Sequence, residues 1–125
     1  MAEFLSDAWI ADLDAAGRAS QVAEDLRVVV QQVVVDDDGT EVAYVVRVAE
    51  GTVRVEAGRA PDADVSFTQS RAVAAAIAQG SLSAQAAFLA GDLRVGGDLA
   101  AVLEGSRALG ALADVFEPAR AATTW

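Results

Sequence analysis

The chain has 125 residues, 54% of them hydrophobic, and a formal net charge of −10, which suits one domain, residues 1–125, with a sizeable core. All nine basic residues are arginines scattered along the chain, so phosphate backbones and anionic headgroups are repelled and nucleic acid is excluded as a partner. Histidine, cysteine and lysine are absent, which removes the usual general bases, thiol nucleophiles, Schiff-base amines and Cys-based metal sites; no catalytic residue, metal ligand or cofactor is assigned.

The opening "MAEFLSDAWIADLD" carries acids where a signal peptide needs basic residues, and charges interrupt every apolar run well before bilayer length. A cytoplasmic protein without integral membrane association is expected. In residues 3–16, Leu5, Trp9 and Leu13 recur at helical spacing, and the helix is read as ending near Gly17. From Leu26 to Val35 valines alternate, then shift phase at Gln31 and Gln32, as a bulge would produce.

An Asp-Gly turn within "DDDGT" leads into a second strand that keeps Val42, Tyr44, Val46 and Val48 on one face, and "EG" turns the chain into a third holding Val53 and Val55. Beyond Pro61, Val65 and Phe67 alternate in a fourth strand, and Ser70 caps a helix carrying Val73 and Ile77 that Gly80 stops. Ser81 or Ser83 caps a second short helix with Ala87, Phe88 and Leu89, ended by Gly91. Leu93 and Val95 form the inward face of a fifth strand, and the glycine pair after it allows a sharp corner. Asp98 caps a final helical region with Leu99, Val102, Leu103, Leu109, Leu112 and Phe116, bent near Gly105 and Gly110 and ended by Pro118. The tail, 119–125, frays unless Trp125 docks. These elements describe an α+β fold, a mostly antiparallel sheet with helices packed on one face.

Two stretches carry a resemblance. "FLAGDLRVGGDL", residues 88–99, and "DADVSFT", residues 62–68, are similar to the return strand and the preceding strand of the sterol carrier protein (sterol-transfer) family, and the order of elements follows that family along the whole chain. The resemblance implies a five-stranded mixed sheet with an apolar tunnel beneath its helices, taking fatty acids, acyl-CoA or sterol-like lipids. The lining would be drawn from Phe67, Val73, Ile77, Ala87, Phe88, Leu89, Leu93, Val95, Leu99 and Leu103. Alanine-rich helices facing a valine-rich sheet fit either a cavity or tight packing. The expected function is binding and transfer of an apolar small molecule without chemistry. The alternative is an interaction module with a filled core that forms a homodimer or docks on an enzyme partner.

Other patterns point elsewhere and fail on spacing. Asp36, Asp37, Asp38 and Gly39 begin like a calcium loop, but the position that needs a glutamate is Val45. Gly96 and Gly97 lack dinucleotide-binding spacing.

Overall fold

The computed structural model of the chain describes residues 2–22, 24–79, 81–97, 100–104, 107 and 117–125. A two-residue strand, β1 (Ala2–Glu3), comes first. Ser6 then accepts the Trp9 N–H at 3.2 Å and starts α1 (Asp7–Arg18), later than the apolar spacing predicts. The helix ends at Arg18, next to Gly17; a Cβ on Gly17 would sit 2.9 Å from the Val53 carbonyl oxygen, so the glycine also permits close approach to the sheet.

The main sheet contains β2 (Val28–Val35), β3 (Glu41–Ala49), β4 (Thr52–Ala57), β5 (Val65–Ser70) and β6 (Leu93–Gly96), in the order β4-β3-β2-β5-β6. Neighbours run antiparallel except β2 and β5, which are parallel. This is the mixed five-stranded α+β architecture that the resemblance implies. β2 pairs with β3 without interruption from Val28–Val48 to Val35–Glu41, so the bulge expected at Gln31 and Gln32 is not formed. Val28, Val30, Gln32 and Val34 share the helix-covered face, and Val33 is buried on the opposite one.

That second face is partly covered because β5 lies beyond β2, and the chain leaving β4 must cross two strands to reach it. Ala60 N–H donates to Gln31 Oε1 at 3.0 Å, Arg47 grips Asp62 at 2.7 and 3.1 Å, and Asp64 bonds Val29 through both its backbone and its side chain. The phase shift in the valine run therefore reflects a strand buried on both sides.

Ser70 caps α2 (Arg71–Ala78) through Val73 N–H, and Ser83 caps α3 (Ala84–Leu89) through Ala86 N–H. After β6, Gly97 adopts a φ of +123°, and a Cβ on it would lie 2.7 Å from the Asp64 carbonyl oxygen; the corner needs glycine there for both reasons. A further helix, α4, is described over residues 100–104. Gly80, Asp98, Leu99, Gly105, Leu109, Gly110, Leu112 and Phe116 lie outside the described residues. Pro118 falls in the first turn of α5 (Glu117–Ala121), where a missing N–H costs little.

The tail docks. β7 (Thr123–Thr124) pairs in parallel with β1, and the Trp125 ring lies 4.7 Å from Phe4. Trp9 Nε1 donates to Thr123 Oγ1 at 3.0 Å, and that hydroxyl donates to the Ala119 carbonyl at 2.6 Å.

Candidate functional site

The space between the sheet and its helices is the candidate site. Its floor is the inner face: Val30, Gln32 and Val34 of β2, Tyr44 and Val46 of β3, Phe67 and Gln69 of β5, and Leu93 and Val95 of β6. At one end α1 seals this floor. Trp9, Ile10 and Leu13 are fully buried, Trp9 packs edge-on against Tyr44 at 5.5 Å, and Asp14 accepts the outward Val55 N–H of the edge strand at 2.8 Å. Desolvation pushes the Asp14 carboxyl up, but the Val55 bond and the guanidiniums of Arg18 and Arg54 outweigh it and hold it below the ordinary value.

Elsewhere the cover is uneven. Gln32, Val42, Tyr44, Val73, Ile77, Leu82 and Val95 remain partly accessible to solvent although they face or border the interior. Burial nonetheless pushes the Tyr44 phenol far above its usual range, which keeps the hydroxyl protonated.

The structure divides the residues expected to line the interior. Phe67, Ala87 and Leu93 are buried in the core, and Val73, Ile77 and Val95 pack half-buried against it. Phe88, Leu89 and Leu103 point away, at 53%, 77% and 62% exposure. The reason is helical geometry: with about 100° between successive residues, α3 can turn only one of Ala87, Phe88 and Leu89 inward, and Ala87 takes that place. Leu99 lies outside the described residues.

Sequence reasoning missed the polar groups on this floor. Gln69 is buried, and its Nε2 donates to Gln32 Oε1 at 2.8 Å across the β2–β5 pair. The signal was the interrupted valine run, read there as a backbone irregularity instead of a polar side chain kept in register. Among the described residues no group of three or more His, Cys, Asp or Glu could hold a metal, and no helix is long and apolar enough to cross a membrane.

The sequence pattern of the SCP-2 sterol transfer family matches residues 10–110. Among solved structures, a conserved hypothetical protein from Thermus thermophilus is similar over 100% of this chain and 93% of its own, at 22% identity and a TM-score of 0.73. The sterol carrier protein domain 2 of Helicoverpa armigera matches 90% of this chain and 91% of its own, at 21% identity and a TM-score of 0.67. Palmitated SCP2L2 from Aedes aegypti matches 81% of this chain and 93% of its own, at 23% identity and a TM-score of 0.61. At these identities the likeness is one of fold. No curated protein sequence matches the chain.

Proposed function

We propose that this chain, which belongs to the SCP-2 sterol transfer family, binds the apolar part of a lipid between its sheet and its helices and carries it without bond chemistry. The observation that supports this reading is the partial burial of Val73 and Ile77 on α2 and Val95 on β6, which face or border the interior yet stay half-buried. An acyl chain laid there would bury apolar surface on both itself and the protein. With no histidine, cysteine or lysine in the chain, carriage is a better reading than catalysis. The Aedes aegypti protein of similar fold is described in palmitated form, which supports an acyl-chain ligand here.

The test is affinity against chain length. Burying one methylene is worth about 0.8 kcal/mol, so delipidated protein should bind a saturated fatty-acid series with affinity rising up to about fourfold per added methylene. Affinity that stays flat along the series would overturn the reading. Exposed Phe88, Leu89 and Leu103 support a second reading, a module that pairs with another copy of itself through its helical side. Native mass spectrometry separates the two: a monomer mass plus an apolar adduct supports the carrier, and twice the monomer mass without adduct supports the module.

A further inference from the structure

The polar pair on the floor of the interior has chemistry left over. Gln32 and Gln69 face the helices from the two central strands β2 and β5, with Val30, Val34 and Phe67 around them, and one hydrogen bond of 2.8 Å joins them. Each carboxamide can donate twice and accept twice. Whichever of the two amides donates in the shared bond, the pair keeps an N–H donor and a carbonyl acceptor beyond it, and no described residue takes them up. Gln32 is partly accessible and Gln69 is 9% exposed, and neither holds a buried polar atom without a partner, so their leftover groups remain open to solvent. Tyr44, directly opposite Gln32 on β3, adds a hydroxyl to the same face.

The described residues of the central strands carry no charge toward this face. No ionisable acid or base other than Tyr44 lies on the inner face of β2, β3 or β5. Arg71, at the start of α2, is already engaged by Asp36 at 3.5 Å, by the Phe4 carbonyl at 3.4 Å and by the Phe4 ring. A carboxylate or phosphate brought to the amide pair would lose its water without gaining a cation.

We propose that Gln32 and Gln69 form a hydrogen-bonding subsite for the uncharged polar group, a hydroxyl or carbonyl, of an otherwise apolar ligand. The proposal rests on the carrier reading above and deepens it. The subsite anchors one end of the ligand on the sheet while its hydrocarbon lies under α2 and α3. It also gives the interior a preference among lipids of equal length.

The experiment compares cetyl alcohol, hexadecane and palmitate as displacers of diphenylhexatriene from the delipidated chain, in the wild type and in Gln32→Leu/Gln69→Leu. One lost hydrogen bond corresponds to roughly a tenfold change in affinity. The ratio of cetyl alcohol to hexadecane affinity should therefore fall about tenfold in the double variant, with hexadecane binding retained. Gln69→Met, which keeps an unbranched side chain of similar length, should lower the ratio in the same direction and serves if the double variant fails to fold. An unchanged ratio in the folded variant overturns the proposal while leaving the carrier reading intact, and so does tighter binding of palmitate than of cetyl alcohol by the wild type. Failure of all three probes to displace diphenylhexatriene from the wild type overturns both.

Discussion

Over β4, α1 buries Trp9, Ile10 and Leu13 and brings Gly17 against the Val53 carbonyl, whereas over β5 and β6 the helices α2 and α3 leave Val73, Ile77 and Val95 half-buried and Phe88 and Leu89 exposed. The composition of the helices accounts for the contrast. α1 carries Trp, Ile and Leu on its inward stripe, while α2 and α3 are mostly alanine, whose small side chains fill little of the space above a valine sheet. Burial is thereby deepest under α1, and the proposed ligand would lie under α2 and α3.

The sharpest test of this division is a matched pair of truncations. Leu13→Ala removes a side chain that is 3% exposed and should cost about 3 kcal/mol, while Ile77→Ala, at a half-buried position on α2, should cost about 1 kcal/mol. Equal losses in urea unfolding would break the comparison. If the carrier reading holds, adding a fatty acid should raise the cost of Ile77→Ala and leave that of Leu13→Ala unchanged, because only Ile77 would touch it.

A smaller effect is expected at Gly17. Helix propensity alone favours alanine over glycine by about 1 kcal/mol. At Gly17 the new Cβ would meet backbone at 2.9 Å, and overpacking should reverse the sign to a net loss of about 1–2 kcal/mol. A Gly17→Ala variant that melts higher than wild type would show that α1 is less tightly seated than its burial implies.

The smallest effect concerns the bond that holds α1 to the sheet edge. The Asp14 carboxyl is held below its ordinary value in the folded chain, so between the folded and unfolded values the unfolded chain binds more protons. Its contribution is therefore complete above the ordinary carboxylate value and is lost as the pH falls through the depressed one. Asp14→Asn should lower the urea midpoint at neutral pH, and its difference from wild type should shrink as the pH drops from about 5 to about 2. A difference that stays constant over that range would remove the charge of Asp14 from the account of how the edge is sealed.

The sequence by itself determined the elements whose causes are local. Alternating valines with an Asp-Gly turn specify the β2–β3 hairpin, and Ser70 and Ser83 sit where helix-opening N–H groups need acceptors. The glycine pair after β6 marks a corner, because only glycine adopts the conformation of Gly97 against the Asp64 carbonyl. What depends on residues distant in the chain was decided by the tertiary structure. Gln32 looks like a slip in a valine run until β5 pairs beside β2 and sets Gln69 within 2.8 Å of it. Gly17 marks only the end of a helix until Val53 is brought against it, and Trp125 looks like a loose end until β7 pairs with β1 and lays its ring on Phe4. Phe88 and Leu89 look like core until α3 turns Ala87 inward. In each case the residue type is written in the chain, but its role is set by a neighbour that only the completed sheet and its helices supply.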